Sequence, residues 1–541
     1  MKTNNEDNYK AREAALAAMS TMRVEPTSIV PYESRGIVAV IGGTQALQAA
    51  AIMPDPLKPH LLLESKVNAA GASCTRIRQR EISVEGYLGN FTITLNGSEP
   101  VDTDVINADL VLDLSDESLL QVPLKPPGYL TSGSADDELQ AAVGELAGLI
   151  GTFEKPRYFE YDASICAHGR SGQTACRRCI DVCPADAISS IGEAIEVESH
   201  LCQGGGACAT ACPSGAIRYV YPSAEDTLTL MRRLLRVYRD EGGLEPVVLF
   251  HASEAGMPDV CGANVLPIAV EELASVGIDV WLSALAYGAR TVLLFDDGNI
   301  PDRVLREIDT QIVTASEILA GLGYPAESIL RIEDSELIHS SQPVMPQIEP
   351  AGYAGAGGKR QTIFMAIDAL YEQAFAAQSR QPEPMVTLTA GAPFGSVRIN
   401  ESSCTLCMSC VSACPGKALQ SGQDVPQVSF IESNCLQCGM CSSICPEYAI
   451  TLSPRLLFDH EERKQIRTLY EEPPFCCVSC GKPFATRSVI NNMMAKLEGH
   501  WMFKDERSKQ RLMMCEDCRV VDVIQDSGMM ERDIGQDRVT H

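Results

Sequence analysis

Eight cysteines in the C-terminal half carry the most chemistry. Cys404, Cys407 and Cys410 are followed by Cys414 and Pro415, and Cys435, Cys438 and Cys441 by Cys445 and Pro446. Thiolates are soft donors suited to iron–sulfur clusters. The run C-x2-C-x2-C-x3-C-P is the bacterial spacing for two cubane clusters in one small fold, in which three thiolates wrap one cluster and the fourth reaches the other. The reading therefore places one [4Fe-4S] cluster on Cys404, Cys407, Cys410 and Cys445, and its neighbour on Cys435, Cys438, Cys441 and Cys414. Each proline suits the first turn of a short helix, where a missing N–H costs nothing. A reduced structural thiol cluster or a zinc site is the blander alternative.

A phrase of cysteine, proline, two variable residues, alanine and a branched aliphatic occurs four times, beginning at Cys183, Cys212, Cys414 and Cys445. A repeated phrase implies a repeated structural unit. The first two copies define a second ferredoxin-like module near residues 156–222, beside the one at 401–453. It departs from the ideal spacing twice. Position 173 is Gln, so the leading thiolate must come from Cys166, ten residues before Cys176. Position 205 is Gly, where the middle ligand of Cys202–Cys208 would stand. The module is thus expected to hold one complete [4Fe-4S] cluster on Cys166, Cys176, Cys179 and Cys212. Cys183, Cys202 and Cys208 are left for a [3Fe-4S] or an incompletely ligated [4Fe-4S] cluster. His168 reads as a hydrogen-bond donor beside a cluster rather than as the missing ligand.

The tail adds Cys477 and Cys480, then Cys515 and Cys518 after 34 intervening residues. Paired C-x2-C knuckles make closed tetrahedral zinc sites, which are structural because a catalytic zinc keeps a position open. Cys476 competes with Cys477 for the first ligand, but Cys477 gives the two-residue gap. His500 reads as a surface residue.

These sites need scaffolds, and a length of 541 residues allows several cores. The expected class is α/β and α+β multidomain: two ferredoxin-like cluster modules, two α/β scaffold domains with parallel sheets, and a small C-terminal zinc-knuckle region. The boundaries read 1–34 for an N-terminal helical segment, 35–155 for an α/β domain, 156–222 for the first cluster module, and 223–340 for a second α/β domain. Then follow 341–400 as linker and helix, 401–453 as the second module, and 454–541 as the zinc-knuckle region. In 35–155, Ile37–Ile41 is a buried-strand run, Gly42 and Gly43 make a turn, and Thr44–Ile52 starts a helix. The full G-x-G-x-x-G of a dinucleotide site is missing. In 223–340, the arginines of LTLMRRLLRVYRD read as a solvated helix face, and strands at 247–250, 265–268 and 291–295 alternate with helices, the pattern of a parallel sheet. The GAGGKR at 355–360 is not a phosphate loop, because Arg360 replaces the required Ser or Thr and Tyr353 the first Gly.

Composition narrows the function classes. Forty-four basic against 71 acidic residues give a formal charge of −27, which opposes binding to nucleic acid and favours a basic protein surface. No run approaches the roughly 20 apolar residues of a membrane span. Twenty-two cysteines grouped in C-x2-C pairs, behind an opening MKTNNEDNYK that lacks a secretory leader, imply a reducing, cytoplasmic setting.

Two resemblances follow. VVLFHASEAG (247–256), GIDVWLSALAYGARTVLLF (277–295) and SEILAGLGYPAESILRI (316–332) resemble the delta-type subunit that links hydrogenases to heterodisulfide reductases. Only Cys261 stands for the cluster cysteines of that subunit, so the segment is expected to be a docking platform. With its cluster motifs, the chain as a whole resembles the multi-cluster ferredoxin-type proteins found with cytoplasmic molybdenum formate dehydrogenases. That resemblance implies an iron–sulfur electron-transfer subunit between such a redox partner and another carrier. No triad or paired carboxylates stand at catalytic spacing. The alternatives are a self-contained flavin- or NAD-linked oxidoreductase and an accessory or maturation factor for a metalloenzyme.

Overall fold

The computed structural model describes residues 2–20, 26, 28–64, 74–77, 81–97, 103–133, 135–252, 262–333, 345–355, 357–377, 383–423, 425–503 and 505–526. They divide into two compact units: Met1–Cys166 with Arg177–Pro382, and Ala167–Cys176 with Glu383–His541. The chain is a mixed α/β multidomain protein with two parallel sheets, both in the first unit. Within 1–34, expected as a helical segment, the helix is Lys2–Met19, while Ile29–Ser34 is a strand paired antiparallel with Gly151–Pro156.

The first parallel sheet runs Cys74–Ile77, Lys58–Glu64, Ile37–Gly42, Leu110–Leu114, Tyr129–Thr131. Ile37–Gly42 lies at its centre because its side chains are apolar on both faces. Val38 and Val40 pack with Ala46, Ala49, Leu139 and Val143 of the helices Thr44–Ile52 and Asp136–Gly148. Ala39 and Ile41 pack instead with Val84, Phe91, Ile93 and Leu95 of a three-stranded antiparallel sheet, Glu81–Tyr87, Asn90–Asn96 and Thr103–Ala108. In sequence order the parallel strands stand 3-2-1-4-5, five of the six positions of the 3-2-1-4-5-6 dinucleotide-binding order.

The second parallel sheet runs Val265–Val270, Val247–Ala252, Thr291–Phe295, Ile329–Ile332. The basic helix before it, Ala224–Asp240, starts on a capping box, with Ser223 Oγ accepting from Asp226 N at 3.1 Å and Asp226 Oδ2 accepting from Ser223 N at 3.1 Å. It buries Leu228, Met231, Leu234, Leu235 and Tyr238 at helical spacing, leaving Arg233 and Arg236 exposed. Elements of this domain also clamp the cysteine-bearing helix Ala207–Ala211. Thr210 Oγ1 donates to Ala274 O (2.6 Å), and Gln311 Nε2 donates to Thr210 O (2.7 Å) while its Oε1 accepts from Ile278 N (3.1 Å). Lys359 Nζ donates to Ala209 O (2.9 Å), Thr210 O and Cys212 O (3.2 Å). The lysine of GAGGKR is thus a cap on the C-terminal carbonyls of a helix, where a cation is favoured. Cys261 lies outside the described residues.

In the second unit, Gly395–Ile399 and Met385–Thr387 flank Ile450–Leu457, and Leu419–Ser421 and Ile466–Glu471 flank Gln427–Ile431. The turn Glu432–Asn434 leads directly into Cys435. Its buried Glu432 carboxylate accepts from Arg455 Nε (2.9 Å) and Nη2 (2.7 Å) and from Arg467 Nη2 (2.6 Å), pinning the start of the cysteine loop to two strands. Among the described residues no helix is long and apolar enough to cross a membrane. Glu432→Ala would strand two cations. The expected loss is about 3 kcal/mol, the lower end for breaking a buried pair because both arginines are partly exposed, read by denaturant unfolding of the second unit's signal.

Candidate iron–sulfur and metal sites

The cysteine loops of the second unit share one backbone form. Counting from the first cysteine, the second and fourth residues are left-handed: Leu406 (φ 53°) and Met408 (φ 62°) in one loop, Gln437 (φ 51°) and Gly439 (φ 82°) in the other. Three of these four are not glycine. Strain of about 1–3 kcal/mol at such a residue persists only where surroundings over-determine it, and it clusters at functional sites.

Each loop ends in the repeated phrase, whose structural meaning is now visible. The third residue after the cysteine is left-handed in all four copies: Asp186 (φ 47°), Gly215 (φ 74°), Lys417 (φ 52°) and Tyr448 (φ 49°). The following alanine N–H is thereby turned onto the cysteine sulfur, at 3.2 Å from Ala418 to Cys414 Sγ and 3.3 Å from Ala449 to Cys445 Sγ. Ala187 makes the equivalent bond to Cys183. All four alanines are buried, so a small side chain is required there. In the second copy, by contrast, Ala216 N–H goes to Ser214 Oγ (3.3 Å), and that hydroxyl lies 3.6 Å from Cys212 Sγ.

Several of these thiols lie together. Cys414, Cys435, Cys438 and Cys441 line one cavity with Val397, Leu419, Phe430 and Leu452. Burial, then Cys404, Cys407 and Cys445, push the Cys410 thiol up to about 12. Burial also raises Cys438, to about 11, with repulsion from Cys414, Cys435 and Cys176, and it raises Cys441 with repulsion from Cys435, Cys438 and Cys414. Buried thiols that repel one another's charge cannot all ionise unaided. A cationic iron–sulfide core removes that penalty, and the donor N–H groups already point at the sulfurs, so these residues fit such clusters.

In the first unit Cys166, Cys179, Cys183, Cys202, Cys208 and Cys212 belong to one apolar cluster with Phe159, Ile188, Ile195 and Ile217. Burial raises Cys183 and Cys202, and raises Cys208 well above its ordinary value, with Cys202, Cys183 and Cys179 adding repulsion to Cys208. Cys176 is different: it ends the segment Ala167–Cys176 that groups with the second unit. Of the set Cys166, Cys176, Cys179 and Cys212, three residues belong to the first unit and Cys176 to the second. His168, on that same segment, is buried with Nδ1 2.8 Å from Cys176 O.

The tail thiols are packed more tightly. Sγ atoms of Cys477, Cys480, Cys515 and Cys518 all lie within 4.8 Å of one another, and Cys480 Sγ to Cys515 Sγ is 3.7 Å. A tetrahedral ion with bonds of about 2.3 Å sets sulfur–sulfur edges of about 3.8 Å. This group fits one metal ion, and it contains Cys477 rather than the exposed Cys476. His500 is exposed and stands outside the group. Burial pushes Cys477 up, but N–H groups of Cys515, Cys480 and Ser479 outweigh it and bring the thiol down to about 6. A hydrogen bond from Ser479 lowers Cys518, yet the Cys480 and Cys515 thiols hold it up at about 12. Among the described residues no other set of three His, Cys, Asp or Glu side chains converges so closely.

The profile of one protein family, the 4Fe-4S dicluster domain, matches residues 396–446. This stretch is an iron–sulfur dicluster domain. It runs from the strand beginning at Gly395 to Pro446, one residue past the last cysteine of the motif. Among curated proteins, none matches the chain.

Two outcomes follow from this geometry. Gly206 and Gly439 have similar φ values, 70° and 82°, but an added Cβ would lie 2.3 Å from Ser275 Cα at Gly206 and no nearer than 4.0 Å to anything at Gly439. Gly439→Ala should cost about 1–2 kcal/mol, the left-handed penalty alone, and Gly206→Ala distinctly more, as compared by calorimetry of the full chain. Cys477→Ser should abolish metal uptake by the tail while iron per chain stays constant, measured by elemental analysis.

Proposed function

We propose that this protein is an iron–sulfur electron-transfer subunit that passes single electrons between a partner redox enzyme and another carrier. The observation that carries this reading is the convergence of Cys414 from one half with Cys435, Cys438 and Cys441 from the other in a single apolar cavity. Bound clusters supply one-electron storage at potentials spanning a wide range. The protein's own residues hold them, donate N–H groups to their thiolates, and exclude water with Val397, Leu419, Phe430 and Leu452.

The proposed cargo is three complete [4Fe-4S] clusters, two in the dicluster domain and one on Cys166, Cys176, Cys179 and Cys212. A [3Fe-4S] or incompletely ligated [4Fe-4S] cluster occupies Cys183, Cys202 and Cys208, and zinc fills the tail site as a structural ion. The partner is a molybdenum formate dehydrogenase-like enzyme in the cytoplasm. The resemblance in the cluster motifs supports that partner, and the net charge of −27 supports a basic docking surface on it.

Anaerobic purification with iron, acid-labile sulfide and zinc quantified per chain tests the reading. Coloured protein with sulfide matching its iron is expected, and Cys438→Ser should lose one cluster. Colourless protein without labile sulfide ends the proposal.

One observation favours the flavin- or NAD-linked alternative. The 3-2-1-4-5 strand order places Gly42 and Gly43 at the switch point, and Glu64 ends the neighbouring strand, 22 residues after Gly42. An acidic residue about 20 positions on is what a ribose site requires. The interval from Gly42 is the one sequence signal for this acid. Cluster reduction by NAD(P)H, or a flavin spectrum, in the reconstituted protein would select this alternative.

A further inference from the structure

The two cysteine loops of the dicluster domain differ in one polar side chain. At the second position after the first cysteine, one loop carries Leu406 and the other Gln437, both left-handed, at φ 53° and 51°, and both buried. The Leu406 side chain has no donor. Gln437 Nε2 donates to Ser396 O at 2.9 Å and to Cys435 Sγ at 3.3 Å. Both amide hydrogens are thereby used, one anchoring the side chain to the strand Gly395–Ile399 and the other facing a cysteine sulfur.

Three features mark this amide as held in place against local preference. The left-handed backbone disfavours any residue with a Cβ. Gln437 Oε1 is buried without a hydrogen-bond partner among the described residues, an exception that folded proteins rarely leave without a use. Turning the amide over would set that oxygen against the Ser396 carbonyl and remove both donated bonds. Finally, a Cβ at Gly395 would lie 2.6 Å from Gln437 Nε2 and 2.5 Å from Ser453 O, so glycine there makes room for the amide as well as for the paired strand. The anchor is itself fixed, because Arg467 Nη2 donates to Ser396 Oγ at 3.1 Å.

A thiolate bound to iron gains electron density when its cluster is reduced. A hydrogen bond to that sulfur strengthens with it, so the donor favours the reduced state. We propose that the Gln437 amide, by donating to Cys435 Sγ, raises the reduction potential of the cluster on Cys414, Cys435, Cys438 and Cys441. Leu406 gives the other dicluster centre no such donor. The charges of Arg455, Arg467 and Glu432 at the start of the Cys435 loop are the same with and without the amide, so they do not enter the comparison. The inference rests on the cluster occupancy proposed above.

The test is a redox titration of the reconstituted full chain followed by electron paramagnetic resonance, the cluster concerned being the one that Cys438→Ser removes. Gln437→Leu supplies the side chain that the other loop already holds in the same backbone conformation. One ordinary hydrogen bond changes the reduction equilibrium about fivefold, so the variant should lower that midpoint by about 40 mV for one electron and leave the other dicluster midpoint in place. A second readout uses the unaltered chain with its glutamine side-chain amides labelled with nitrogen-15. Electron–nuclear double resonance should show a coupling to this cluster when it is reduced, lost in Gln437→Leu. An unmoved midpoint with the clusters present, or equal shifts in both dicluster centres, overturns the inference. So does the absence of that coupling in the unaltered chain, which decides the matter even if Gln437→Leu fails to take up its clusters. These results would sink this inference alone, whereas absence of every cluster signal from the unaltered chain would sink the electron-transfer reading with it.

Discussion

A thiolate buried among apolar side chains is an unstable charge, and several of them together are worse. The fold gathers such groups repeatedly, at Cys410, Cys438, Cys441 and Cys208, each raised first by burial and then by its neighbours. Desolvation of this kind is tolerable only when a compensating positive core shares the site. The order of the cysteine loops therefore depends on what they hold, and the surrounding strands, caps and ion pairs serve to keep the sulfurs at the distances such a core needs.

The two kinds of cysteine site are built differently. The tail thiols close to within 4.8 Å of each other, an edge that one ion spans. The dicluster thiols surround a cavity instead, walled by Phe430 and Leu419. Chemistry with identical donor atoms is thus divided by backbone form: left-handed residues at 406, 408, 437 and 439 open the loops of the dicluster domain, whereas the tail uses a hairpin, Pro474–Cys476 with Pro483–Thr486, and the start of the helix Glu516–Gln525.

Much of this was legible in the residues. The register of Cys404 to Cys445 announced the dicluster domain because ligand spacing is local. Ile37–Ile41 announced a buried strand because both faces are apolar. Cys477 over Cys476 followed from the two-residue gap. Other features depend on contacts distant in sequence and left no local mark. Lys359 reads as part of a glycine-rich linker, yet it caps a helix about 150 positions earlier; Lys155 reads as an ordinary strand lysine, yet it binds the carbonyl of Cys202. Ile29–Ser34 carries no strand signal of its own because its partner, Gly151–Pro156, lies on the far side of a whole domain in sequence. The segment Ala167–Cys176 was read as a lengthened ligand loop, and its grouping with Glu383–His541 could not be seen from spacing.

The serine at position 214 sets one of the four cysteine–proline turns apart. Where the other three sulfurs receive a main-chain amide, Cys212 faces a hydroxyl 3.6 Å away. An amide is fixed by the peptide plane, but a hydroxyl rotates about a single bond and can donate, accept or turn aside. The electron density on that sulfur can accordingly change through one side-chain torsion, with no movement of the backbone around it.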